Sequence, residues 1–250
     1  DKDSTPDEWK DGDDDQDIEK VKLYCFDLSL RKFITEVNGE KLAESREPKV
    51  DISKMGTKDE NGKLITTATY IHSKEPLTLV VGNVVTYTIR VYNEGEIAGY
   101  AAEIEDDIPD YLEFLPEDTV NKEYGWVMYD KEGNKTNKVD DAISVKTIYL
   151  SKENEKTPGE NLIKAKEANQ LNFKDVKISF KIKDPSSTET IITNYAQISK
   201  NTDENGNDLT DRDSTPGKWE DGDDDQDVEN VKVEYFDLSL IKYLSKVIVK

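Results

Sequence analysis

With 250 residues, 34% hydrophobic and 36% charged, the chain is long enough for one large β domain or two small ones with a real core. Its 55 Asp and Glu against 34 Lys and Arg leave a formal net charge of −21, which repels phosphate backbones and anionic lipid surfaces and favours cations or basic partners. Nucleic acid is therefore discounted as a partner. No apolar run approaches the roughly 18 residues of a membrane span and the first residues lack a signal-peptide pattern, so direct membrane insertion is not expected.

The chain opens on DSTPDEWKDGDDDQDIEKVKLYCFDLSL and repeats it near its end as DSTPGKWEDGDDDQDVENVKVEYFDLSL, pairing Asp3 with Asp213, Trp9 with Trp219 and Lys32 with Lys242. A phrase repeated at this spacing marks a tandem array whose period is about one domain, and the chain reads as a piece of something longer. The expected organisation is an acidic inter-repeat joint at 1–21, a sandwich repeat at 22–200, a second acidic joint at 201–232 and the first strand of a further repeat at 233–250. The single cysteine, Cys25, is replaced by Tyr235 in the second copy, so any covalent staple within a repeat must be something other than a disulfide.

Between the two phrases, period-two alternation dominates. LTLVVGNVVTYTIRVYNEG, AGYAAEIEDDIPDYLEFL, FKDVKISFKIKD and ETIITNYAQISK all read as strands, and Asn38-Gly39, Asn61-Gly62 and Asn205-Gly206 supply turns. The predicted fold is all-β, an antiparallel immunoglobulin-like β-sandwich. An inserted segment from about 117 to 170 carries strand pieces and one short helix, placed at 159–169.

Strand phase isolates three polar residues. In FDLSLRKFI, Lys32 shares a face with Leu28, Leu30 and Ile34; in AAEIEDDIP, Asp106 shares one with Ala102 and Ile104, while Glu103, Glu105 and Asp107 face away; in IITNYAQIS, Asn194 shares one with Ile192, Ala196 and Ile198. A lysine, a carboxylate and an amide are thus expected in the core. Either the phase is wrong, or the groups pair as a buried network, or they react. Desolvation favours a neutral amine and a protonated acid, so attack of Lys32 on the Asn194 side chain, with Asp106 polarising the carbonyl, would expel ammonia and leave an isopeptide bond.

The stretch LVVGNVVTYTIRVYNEGEIAGYAAEIEDDIP, with Gly82, Val85, Tyr87, Ile89, Val91, Asn93 and Gly95, then Asp106, Ile108 and Pro109, and later Asn194, Ala196 and Ile198, resembles the repeat domain of Gram-positive surface proteins and pilin-type adhesins. The resemblance spans roughly residues 22–200. In self-cross-linking members of that family a lysine on the first strand joins an asparagine on the last with help from an acid between them. The resemblance implies cross-link residues Lys32 and Asn194 and a catalytic Asp106, with Lys54 as alternative amine and Glu103 as reserve acid. It also implies an extracellular location on a bacterial cell surface.

The acidic phrase itself offers closely spaced oxygen ligands of the kind calcium needs. The expected ligands are Asp3, Asp13, Asp15, Asp17 and Glu19 in the first copy and Asp213, Asp223, Asp225, Asp227 and Glu229 in the second. The alternative is a solvated linker, although a tryptophan kept at fixed register argues against it. Turnover catalysis finds no nucleophile motif, phosphate loop or Cys/His metal set, and the single histidine, His72, stands near a turn. The expected function is a structural stalk or filament repeat whose partners are neighbouring repeats of the same protein, with calcium-stiffened joints. The alternative is an adhesin module binding a host protein or glycan, for which Tyr70, Tyr87, Tyr92, Trp126 and Tyr129 are candidate sugar-facing aromatics.

Overall fold

A computed structural model describes residues 2, 8–9, 16–154, 156–157, 159–185, 190–220, 222–234, 239–243 and 245–246. Their regular structure is nearly all β. The strands are β1 (Leu28–Val37), β2 (Glu40–Lys41), β3 (Lys49–Asp51), β4 (Thr69–Ile71), β5 (Leu77–Val80), β6 (Val84–Asn93), β7 (Gly99–Asp107), β8 (Leu112–Phe114), β9 (Val127–Asp130), β10 (Ala142–Thr147), β11 (Asn172–Ile182), β12 (Thr190–Asp203) and β13 (Gln226–Glu234). They form a sheet in the order β2-β1-β6-β11-β8, a facing sheet in the order β5-β13-β12-β7-β10-β9, and the small β3-β4 pair. Every pairing is antiparallel except β13 with β5.

One core fills the space between the two large sheets. It takes Leu28, Leu30 and Ile34 from β1, Tyr87 and Ile89 from β6, and Ile104, Ile192, Ala196 and Ile198 from the facing sheet. Burying each large apolar side chain contributes about 1.5–3 kcal/mol, which is why these alternating positions fix the register. A smaller cluster of Ala68, Tyr92 and Leu171, flanked by Val50, Ile52 and Tyr70, covers part of the outer face of the first sheet.

The inserted segment is organised differently from expectation. The short helix is α1 (Thr119–Glu123), capped by Asp118, whose side chain accepts from the Val120 N–H. No helix forms at 159–169. There Ile163 is buried and exchanges both backbone hydrogen bonds with Gly99, at 2.9 and 3.1 Å, so strand-like pairing at a tertiary contact overrides local helix propensity. Gly99 is required at that crossing, because a Cβ would sit 2.4 Å from the Phe26 ring and 2.6 Å from the Thr202 carbonyl oxygen.

The second acidic phrase is likewise not outside the sandwich. Its Gln226–Glu234 stretch is β13, inserted between β12 and β5, with Val231 and Val233 fully buried. The boundary expected at residues 200–201 falls inside β12, and the stretch taken as a joint supplies a core strand. The strand expected from 233 onward is therefore not a separate element at its start: Val233 and Glu234 end β13, residues 239–243 and 245–246 have no regular structure, and the other positions lie outside the described residues. β13 also lies along β1 and runs the same way. The Leu30 N–H donates to the Asp224 carbonyl at 2.7 Å, the Lys32 N–H to Asp227 Oδ2 at 2.7 Å, and Lys74 Nζ bridges the carbonyls of Lys32 and Val228. In the first copy, residues 17–24 are exposed and lie outside any strand. The folded unit thus extends from about Cys25 to Glu234.

Candidate functional site

The three residues singled out by strand phase meet between the sheets. Lys32 stands on β1 opposite Ile89 of β6, Asp106 near the end of β7 opposite Ala196, and Asn194 on β12, and all three are fully buried. Lys32 Nζ donates to Asn194 Oδ1 at 2.5 Å and forms a short ion pair with Asp106 Oδ2. Asn194 Nδ2 in turn donates to Asp106 Oδ1 at 2.8 Å. The lysine nitrogen therefore faces the amide carbonyl, and the amide nitrogen faces carboxylates. The Tyr87 ring, 4.9 Å from Lys32 Nζ, forms one wall.

Burial dominates the electrostatics. It pushes the Lys32 ammonium below its ordinary range, against the pull of Asp106, and it lifts the Asp106 carboxyl to about 6 even though Lys32 and Asn194 act the other way. Both shifts favour the neutral amine beside the protonated acid. In that pairing the amine carries a free lone pair and the acid can donate to the amide.

A second acid was not expected from strand phase. Asp107 accepts from Asn194 Nδ2 through its backbone carbonyl and through Oδ1, each at 2.9 Å, and Oδ1 also accepts from the Tyr195 N–H at 2.7 Å. Burial raises its carboxyl as well. The pairing of β7 with β12 ends at Asp106, so the last residue of β7 is free to turn its side chain toward the opposite strand's amide. The reserve residues lie elsewhere. Lys54 is exposed in a turn, and Glu103 pairs with Lys146 and accepts from Ser199 on the far face of β7.

The expected cation ligands divide into four groups. Asp3, Asp13 and Asp15 lie outside the described residues, whereas Asp17 and Glu19 are exposed on the segment before β1. Asp227 and Glu229 on β13 are held as ion-pair partners instead, Asp227 by Lys74 at 2.7 Å and Glu229 by Arg46 at 2.6 Å. That leaves Asp213, Asp223 and Asp225 in the loop between β12 and β13. Asp213 lies with Asp27 and Asp211, their carboxylate oxygens within 4.8 Å of one another, and Asp27 forms a similar group with Glu94 and Asp224. Burial, followed by Asp224, Asp213, Asp211 and Glu94, lifts Asp27 to about 9. Asp27, Asp211, Glu94 and Asp224 escaped the sequence reading because they converge only in three dimensions.

The remaining candidates fall into structural roles. Tyr87, Tyr92 and Trp126 are buried and Tyr70 donates to Glu94, whereas Tyr129 is half-buried on β9. Trp219 packs edge-on against Tyr195 at 4.8 Å, which accounts for a tryptophan at fixed register in the second copy. His72 is half-buried near β4. Among the described residues no helix is long and apolar enough to cross a membrane. No protein-family model matches the chain, and no curated protein matches it at a significant level.

Proposed function

We propose that this chain is a structural repeat of an extracellular bacterial surface stalk or filament, cross-linked internally by an isopeptide bond between Lys32 and Asn194. The observation that carries the reading is the 2.5 Å approach of Lys32 Nζ to Asn194 Oδ1 in a fully buried site that also holds Asp106. An ammonium ion and a carboxylate enclosed by Tyr87, Ile89 and Ala196 gain by transferring the proton between them. The neutral Lys32 amine then attacks the side-chain carbonyl carbon of Asn194, one C=O bond beyond the oxygen it already contacts. Asp106 supplies a proton to the carbonyl oxygen and takes up the one that the attacking nitrogen releases.

Collapse of the tetrahedral adduct breaks the bond to Nδ2, which leaves as ammonia after receiving a proton from Asp106, while the hydroxyl formed on the carbonyl oxygen returns its proton to Asp106 as the C=O re-forms. The amine plus amide become one secondary amide plus ammonia, with no oxidant or cofactor needed, and each molecule reacts once. Asp107, bonded to the departing nitrogen, orients the amide so that its carbonyl faces the lysine. The same residues suit mechanical service: the bond joins the entry strand β1 to β12 in the opposite sheet, and Leu238, the counterpart of Leu28, follows Glu234 after only three residues of sequence. Such an array places each unit's cross-link in the line of tension.

The deciding test is the intact mass of the denatured 250-residue chain. A mass lower than the sequence requires by one ammonia, restored to the full value in Lys32→Ala and in Asp106→Ala, is the expected result. An unshifted wild-type mass reduces the three residues to a buried polar network and removes the cross-link from the function.

A further inference from the structure

We propose that Asp27, Asp211 and Asp213, with Asp224 beside them, bind a divalent cation of the calcium class that fastens the start of the unit to the loop between β12 and β13. The site is distinct from the run of acidic residues as a linear motif, because its ligands come from both ends of the folded unit. Asp27 lies immediately before β1, and Asp211, Asp213 and Asp224 lie some two hundred residues later in sequence. One oxygen from each of Asp27, Asp211 and Asp213 falls within 4.8 Å of the others, and Asp27 stands in the same relation to Asp224 and Glu94. Glu94 is already occupied by Tyr70, Ser29 and the Ala68 N–H, so the first group is the better centre.

A second observation points the same way. Asp27 is wholly enclosed, yet among the described residues neither of its carboxylate oxygens accepts a hydrogen bond, and its ion pair there is with Arg212 at 3.0 Å from Oδ2. Among the described residues, Asp224 Oδ2 and both oxygens of nearly enclosed Asp225 are also without hydrogen-bond partners. A protein interior satisfies a buried carboxylate with donors or with a cation, and one arginine does not serve this many.

The donor chemistry selects the ion. The converging groups are all carboxylates, with no imidazole or thiolate among them, which suits a hard cation taking six to eight oxygens in flexible geometry rather than zinc or copper. Bound there, the ion joins residue 27 to residues 211 and 213 beside the contact in which Asp211 Oδ2 accepts from the Leu28 N–H at 2.9 Å. Only the further inference that this fastening sits at every boundary of an array rests on the stalk reading.

Calorimetric titration of the full chain with calcium chloride, paired with thermal unfolding in calcium and in EDTA, tests the site. Calcium is expected to bind and to raise Tm in proportion to the logarithm of its concentration, with magnesium at least tenfold weaker. Asp27→Asn and Asp213→Asn each abolish both effects, and the triple change Asp13→Asn, Asp14→Asn, Asp15→Asn leaves the Tm shift in place. Asp213 is exposed, so its variant reads binding even if Asp27→Asn disturbs the fold. Absence of calcium binding, or binding that survives Asp27→Asn and Asp213→Asn, overturns the proposal. The intact-mass measurement is unaffected either way, so this failure and that of the cross-link are told apart.

Discussion

Val21 and Val231 hold the same place in the repeated phrase, yet Val21 is 80% exposed and Val231 is fully buried in β13. Leu23 and Val233 repeat the contrast, at 80% and 0%. The words are nearly identical and the difference is the partner: β12 and β5 flank the second copy's strand, whereas residues 17–24 of the first copy lie outside any strand. The second copy closes this unit with β13, and the first copy leads into its opening strand, β1.

Truncation follows from that asymmetry. Removing residues 1–24 is expected to leave Tm within a degree or two of the full chain. Removing 226–250 strips Val231 and Val233 from the core, a loss of about 3–6 kcal/mol from apolar burial alone, and exposes an edge of β12. Comparable stability of the two truncated chains in urea melts would contradict the assignment of β13.

Stability of site variants separates the bond from the charges. Lys32→Met prevents closure of a loop spanning 162 residues, worth about 5 kcal/mol in the chain-entropy account, and leaves Asp106 without the hydrogen bond of the lysine nitrogen for about 1–3 kcal/mol more. Adding Asp106→Leu to Lys32→Met should recover the second loss and not the first. Full recovery in the double variant would mean that the wild type carries no covalent closure.

Strand phase made the trio of Lys32, Asp106 and Asn194 legible, because period two is strict wherever apolar neighbours pin a face to the core. The same rule missed Asp107, which sits where strand pairing ends and the alternation no longer binds the side chain. VENVKVE alternates as clearly as any strand, with Glu229, Val231 and Val233 inward, but the acidic run before it drew the whole phrase into an expected joint. The helix was misplaced since its apolar residue, Ile163, is needed for a backbone bridge to Gly99 that no local pattern announces. The cluster around Asp27 is only partly linear: Asp213 and Asp224 belong to the acidic phrase, but Asp27 and Glu94 reach them only through the fold.

The chain's single histidine provides a clean pH probe. Burial, aided by Lys74, lowers His72 from 6.5 to about 4. The folded state therefore holds fewer protons than the unfolded chain across that interval, and stability present above 6.5 is lost as pH falls toward 4. His72→Gln should flatten this part of the stability profile. An NMR titration of the wild type that places the imidazole near 6.5 would refute it.

Single-molecule extension reads the cross-link directly. The residues between Lys32 and Asn194 hold a contour length of about 550 Å, at roughly 3.4 Å per residue. The bonded unit is expected to show no lengthening of that size at any force that leaves covalent bonds intact, and Lys32→Met is expected to release it. A wild-type unit that lengthens by this amount is not bonded.

The side-by-side, same-direction course of β1 and β13 determines how the remainder answers to traction. Opposite pulls on the two ends drive one strand lengthwise past the other, so the contacts of Leu30 with Asp224 and of Lys32 and Lys74 with Asp227 and Val228 must yield together. A hairpin pulled open surrenders its bonds one after another, like a zip. Here the strands resemble an overlapped seam, whose strength grows with the length of the overlap.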